Sequence, residues 1–221
     1  MRGENSMKKF GTSILVVLSL VLVLGLLAGA EEILFKDVFD REEIGDAWTI
    51  VDDVTPSTPS IWAIRNNSLM QLSNIYRVDR EYDFWTGTHI VAGSDDWENY
   101  ELNCEITAND DDGIGAIVRY QDQDNYYRVI AVADSYNKGP FIRLEVFEDG
   151  ERFVLDEINE PYTPNEIYAI KFVANGPNLE VWINGDKVLS AKDNTIKKGK
   201  IGFLTYATES FAVTNVEVKK L

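Results

Sequence analysis

The sequence predicts an all-β, antiparallel fold, either a sandwich or a barrel. Three observations lead there. Apolar and polar residues alternate with period two in short runs, the pattern of a strand with one buried face. Clusters of Asn, Asp, Gly and Pro interrupt these runs roughly every 8–12 residues. Little of the chain carries the 3.6-residue period of a helix.

Residues 1–30 read as a targeting segment. Arg2, Lys8 and Lys9 make a basic front, residues 14–27 are apolar apart from Ser19 and Gly25, and Ala28-Gly29-Ala30 has the small-x-small form of a cleavage site. The apolar run falls short of the ~20 residues a bilayer span needs. Cleavage is the expectation, and an uncleaved N-terminal anchor is the alternative; only through such an anchor would the protein meet a membrane. The destination is the outside of the cell, its surface or the periplasm. Residues 31–221 are expected to form a single domain.

The strands follow in order. Residues 34–39 and 47–51 come first, separated by a polar connector. Residues 62–64 and 69–72 flank the turn Arg65-Asn66-Asn67-Ser68, and residues 89–92 follow a long polar and aromatic connection. Residues 101–107 alternate most regularly, with Leu102, Cys104 and Ile106 on one face and Glu101, Asn103 and Glu105 on the other. Asn109-Asp110-Asp111-Asp112-Gly113 breaks the pattern, residues 115–120 resume it, and a second polar turn leads to residues 126–132. Such close connections predict antiparallel pairing of the three strands. Residues 141–147 and 152–156 flank Asp149-Gly150, a strong hairpin signal. Residues 167–174, 179–183, 187–190, 200–205 and 212–219 complete the set.

Composition narrows the partners. There are 37 Asp and Glu against 21 Lys and Arg, a formal charge of -16. Nucleic acid is excluded as a natural partner, because phosphate binding needs a basic stripe. Cys104 is the only cysteine, so no internal disulfide is possible, and its place on an apolar strand face predicts a small buried hydrophobe.

The run from Asp110 to Val129 is similar to the central hairpin of the concanavalin-like jelly rolls, the superfamily of laminin-G-like and thrombospondin-C-terminal-like lectin modules. Trp48-Thr49-Ile50, Trp62-Ala63-Ile64, Trp97-Glu98-Asn99-Tyr100, Leu179 to Gly185 and Gly199 to Phe203 resemble other parts of that fold in the same order. The resemblance implies a two-sheet antiparallel β-sandwich, a concanavalin-like jelly roll, over essentially all of residues 31–221. The fold itself hosts lectins, hydrolases, lyases and adhesive modules.

Hydrolase machinery is weakly represented. Laminarinase-like jelly rolls carry Glu-x-Asp-x-x-Glu; the nearest string, Glu101 to Glu105, has Asn103 in the middle. A two-carboxylate enzyme would have to combine Glu101 or Glu105 with Glu145. His89, the only histidine, sits in an apolar run and reads as packed core. Trp48, Trp62 and Trp182 read as core aromatics. Trp85, with Tyr82 and Tyr76 beside it, lies in a loop-like stretch and reads equally as a sugar-stacking platform or a loop anchor. Arg119, inside an apolar run, shares a predicted face with Ile117 and needs either a paired or a cleft environment. The resemblance places Arg119 and Tyr127 near a ligand-binding sheet; the alternative is structural pairing of Arg119 with Glu145 or Glu105. The expected function is therefore an exported, non-catalytic, carbohydrate-binding module. A glycoside-processing enzyme of the same fold and a structural cell-envelope module that binds protein are the alternatives.

Acidic turns suggest calcium. Asp110 and Asp112 are two apart beside Gly113, and adjacent carboxylates repel unless a cation relieves them. Asp37 with Asp40 resembles a structural calcium position of related jelly rolls. Asp122 and Asp124 form a weaker third candidate.

Overall fold

The computed structural model describes residues 31–52, 59–76, 87–135 and 139–221. The expected targeting segment lies outside the described residues, and among them no helix is long and apolar enough to cross a membrane. The strands, in chain order, are β1 (Ile33–Asp37), β2 (Trp48–Asp52), β3 (Trp62–Arg65), β4 (Ser68–Gln71), β5 (Thr88–Ala92), β6 (Tyr100–Thr107), β7 (Gly113–Asp122), β8 (Asn125–Val132), β9 (Phe141–Glu148), β10 (Glu151–Ile158), β11 (Tyr168–Asn175), β12 (Asn178–Ile183), β13 (Asp186–Lys192), β14 (Lys200–Tyr206) and β15 (Phe211–Lys220).

They make two antiparallel sheets. One runs β10-β9-β8-β7-β14-β5-β2; the other runs β13-β12-β11-β6-β15-β4-β3, with β1 also on β15. The sheets face each other across one apolar layer. Leu102, Cys104 and Ile106 of β6, Phe172 of β11 and Val213, Val216 and Val218 of β15 meet Ala116 and Val118 of β7, Val129 of β8, Leu144 and Val146 of β9 and Phe203 of β14. Each fully buried Phe, Leu or Val side chain contributes about 1.5–3 kcal/mol to this layer. The all-β sandwich is as expected.

One pairing differs. β7 and β8 pair, but β6 pairs with β11 and β15 instead of β7. The Asp-rich turn carries the chain from one sheet to the other, so the apolar faces of β6 and β7 look at each other across the core. A sandwich needs such crossings, and connection length alone does not distinguish them from hairpins.

Turn chemistry fixes the registers. Asp149 and Gly150 take φ of 50° and 81°, and Asn184 and Gly185 take 53° and 89°. Two successive left-handed residues make the turn whose twist matches the flanking strands. Trp48 and Trp62 are buried as expected, their indole N–H groups donating to Asp37 Oδ2 and Thr88 Oγ1, both at 2.9 Å. Trp182 is not a core residue. Leu179 and Val181 take the inward positions of β12, and strand alternation puts Trp182 on the outer face with Glu180.

Candidate functional site

The seven-stranded sheet has a second buried layer on the face turned away from the core. Ile117, Tyr120, Tyr126, Ile130, Phe141, Phe147, Leu204 and Tyr206 belong to it. Strand alternation puts them there, because their neighbours in sequence point inward. Register then defines rows across the sheet. One row runs His89, Leu204, Gly115, Ile130, Arg143, Glu157; the next runs Val91, Gly202, Ile117, Arg128, Glu145, Val154.

Charge is concentrated on this face. Arg128 Nη2 lies 2.8 Å from Glu145 Oε2 with neither side chain exposed, and Arg152 Nη1 lies 2.7 Å from Glu145 Oε1. Burial acts to raise the Glu145 pKa, but the charges and hydrogen bonds of the two arginines prevail and hold it below the usual carboxylate range. Arg143 pairs with Glu157 and lies over the Phe141 ring, its guanidinium carbon 3.7 Å from the centroid. Arg128 lies 4.7 Å from the Phe147 centroid, and Tyr126 stacks on Phe147 at 4.6 Å. His89 approaches Tyr126 edge-on at 5.3 Å. A sandwich core does not require this arrangement. Buried ion pairs are weak contributors to stability, and clustered buried titratable groups outside the core mark a functional-site candidate.

Of the expected ligand residues, Tyr76 is brought to this face. It is 45% exposed and packs edge-on against Tyr206 at 6.3 Å, at the rim of the layer. Tyr82 and Trp85 lie outside the described residues. Arg119 and Tyr127 are brought together, but as a structural lock, and the expectation that they contact ligand is corrected. Both are buried. The Arg119 guanidinium donates to the carbonyls of Glu98, Gly176 and Ile196 at 2.9 Å, tying together three loops. Its backbone N–H donates to Tyr100 Oη at 2.6 Å. Tyr127 Oη donates to Asp193 and accepts from the Ile196 N–H at 3.0 Å. Burial raises the Tyr127 pKa, and the hydrogen bond to Asp193 adds to it. Arg119 leaves the face of Ile117 because β7 is bulged there, with φ of 51° at Arg119 and a register break against β8. Neither Glu145 nor Glu105 is its partner.

The two-carboxylate combination is also corrected. Glu101 and Glu105 stand on the outer face of the eight-stranded sheet, Glu145 on the outer face of the other. The whole core lies between them, so they cannot flank one glycosidic bond.

Asp37 is not placed to hold calcium with Asp40. Its carboxylate receives Arg41 in a two-pronged pair at 2.6 and 2.7 Å, together with the Trp48 indole, so a guanidinium occupies the cation's place. Asp122 Oδ1 caps its own turn, accepting the Asp124 N–H and the Asn125 amide at 2.9 Å. Asp110, Asp111 and Asp112 gather, with one carboxylate oxygen from each within 4.8 Å of the others.

Sequence reasoning missed Arg128, Arg152 and the position of His89. The signal for Arg128 was present: an arginine inside the apolar run Tyr126 to Val132 poses the same question as Arg119. His89 is buried as expected, but on the outer layer.

The comparisons agree with this architecture. A family model described as a 3-keto-alpha-glucoside-1,2-lyase-like domain matches residues 34–219, and the chain belongs to that family. No curated protein matches it. Among solved structures it is similar to a carbohydrate-binding module, CBM66, from Bacillus subtilis, at 19% identity and a TM-score of 0.63, covering 79% of this chain and 96% of that one. It is similar to a Bacillus subtilis protein of unknown function with a galectin-like fold, at 12% identity and a TM-score of 0.60, covering 86% and 98%. It also resembles SCLam, a non-specific endo-β-1,3(4)-glucanase of family GH16, at 10% identity and a TM-score of 0.59, covering 87% and 92%. At these identities the likeness shows the fold, a concanavalin-like or galectin-like jelly roll. The matching family is the lyase-like one and not a laminin-G-like module.

Proposed function

We propose that this chain is an exported carbohydrate-binding module whose ligand sits on the outer face of the seven-stranded sheet. One observation carries the proposal: the buried Arg128–Glu145 pair anchors Arg152, which reaches solvent, among aromatic rings on a face the core does not use, with Tyr76 exposed at its rim. Sugar recognition combines these two elements, flat rings against C–H faces and fixed planar polar groups against hydroxyls. The similarity to CBM66 supports this reading. The test is a glycan array with the secreted form, with Tyr76→Ala and Arg152→Ala as probes. Binding lost in both, with folding intact, is the expected result; a folded wild type that binds no glycan removes the proposal.

The family description favours a second reading, an enzyme acting on a keto-glucoside. His89, beside Tyr120 and Tyr126, would be its proton-transfer group, since histidine is the side chain most used for that purpose. Consumption of a 3-keto-α-glucoside by wild type and not by His89→Phe would establish it. A structural calcium ion in the Asp110–Asp112 turn belongs to either version of the proposal.

A further inference from the structure

We infer that the outer face of the eight-stranded sheet carries a separate binding groove for a neutral polysaccharide, centred on Trp182. The groove measures about 370 Å³ and is lined by Asn103, Glu105, Lys171, Trp182 and Asn215. It lies on the opposite side of the sandwich from the layer described above and shares no residue with it.

Three features point to a sugar. Alternation along β12 sets a large indole outward beside Glu180, at a position where the sandwich core needs no apolar residue. The indole is fixed in place: its N–H donates to Glu180 Oε2 at 3.0 Å, and Lys171 and Lys187, its neighbours on β11 and β13, hold their ammonium groups 4.4 and 5.5 Å from its centroid. Planar acceptors and donors stand alongside. Glu105 Oε2 accepts from Thr214 Oγ1 and from the Asn215 amide at 2.8 Å, and the Asn103 amide donates to Glu101 at 2.9 Å. A pyranose stacked on the indole would meet the carboxylate of Glu105 and the amides with its hydroxyls. Lys171, on a flexible stem, would exchange its contact with the ring for a hydroxyl oxygen.

Charge selects the neutral class. Lys187 pairs with Glu180, which also feels the charge of Lys171, Glu105 adds a second carboxylate to the lining, and the chain as a whole carries -16, which repels an anionic polymer. The ligand is a polymer, not a monosaccharide, because the lining runs across four adjacent strands, β12, β11, β6 and β15, and a single ring would cover only the indole.

The test is affinity electrophoresis of the secreted form in gels cast with xylan, laminarin or polygalacturonate. The background is Tyr76→Ala/Arg152→Ala, which disables the opposite face. Retardation by xylan or laminarin in this background, with none by polygalacturonate, is expected. Adding Trp182→Ala should weaken it about tenfold, the effect of removing a central aromatic anchor. Trp182→Phe, which keeps a flat ring, should retain part of it and guards against a folding artefact. No retardation of the background overturns this inference and leaves the proposed function standing if wild type is still retarded. Retardation unchanged by Trp182→Ala overturns it as well.

Discussion

Arg128 and Glu145 face each other across β8 and β9 at 2.8 Å, each without solvent exposure, on the side of the sheet that does not form the sandwich core. Charge is buried here away from the apolar layer that holds the two sheets together. Taking two charges out of water costs several kcal/mol, and only close pairing offsets it.

That balance predicts a sharp asymmetry. Glu145→Gln leaves Arg128 buried opposite a neutral group and should destabilise the fold by about 3–5 kcal/mol in urea unfolding. Arg128→Met and Arg152→Met with Glu145→Leu remove all three charges and should recover much of that loss while abolishing glycan retention on this face. A triple variant as unstable as Glu145→Gln alone would mean the network stabilises the fold in its own right.

Asp37 and Glu145 set the acid limit of stability. Burial acts to raise the Asp37 pKa, but the Arg41 and Trp48 hydrogen bonds prevail and lower it; the balance at Glu145 is also downward. For a carboxylate whose folded pKa lies below its unfolded value, the stabilisation is present above the unfolded pKa and lost as pH falls through the folded one. The unfolded values are about 3.9 for Asp and 4.3 for Glu. Unfolding free energy should therefore be insensitive to these groups near neutrality and fall steeply below about pH 4. Asp37→Asn should flatten that fall, a difference that urea titrations at pH 3 and pH 7 would measure.

The sequence made the strands legible because alternation and turn residues act locally. Every run with period two became a strand, and Asp149-Gly150 made its predicted turn. Faces were legible only where the alternation was unbroken. The bulge at Arg119 shifts the parity of β7, and no composition rule announces it, so Arg119 was put on Ile117's face. Trp182 was misplaced for a different reason: its large apolar side chain suggested burial, although alternation with Glu180 already sets it on the outer face. The Arg128–Glu145 contact depends on the register between two strands, which their separate sequences do not contain.

Arg119 offers a direct test of lock against ligand contact. Its guanidinium holds the carbonyls of Glu98, Gly176 and Ile196, and Tyr100 Oη joins its N–H to the carbonyls of Gly199 and Lys200. Arg119→Met orphans buried acceptors, each worth about 1–3 kcal/mol. The expected outcome is a large fall in the unfolding midpoint, with faster amide exchange at residues 194–199. Glycan affinity of the fraction still folded should be unchanged. Lost affinity at unchanged stability would restore Arg119 as a ligand residue.

Asp110, Asp111 and Asp112 bring their carboxylates together on the turn that crosses between the sheets. Beneath it the Tyr162 hydroxyl lies 2.7 Å from the carbonyls of Asp110 and Asp112, and Asp111 O accepts the Ala133 and Asp134 N–H groups, so the turn's backbone is held whether or not an ion is bound. A cation would act on the mutual repulsion of the carboxylates, which is largest at low ionic strength. An ion that binds only the folded chain at a hundred times its Kd adds about 2.7 kcal/mol. The thermal midpoint should therefore rise with millimolar calcium, fall back with chelator, and show no calcium response in Asp110→Asn/Asp112→Asn. That double variant should be the more stable protein in chelator, because it has already lost the repulsion. A wild-type midpoint indifferent to calcium would falsify the site and leave the turn as a solvated acidic crossing.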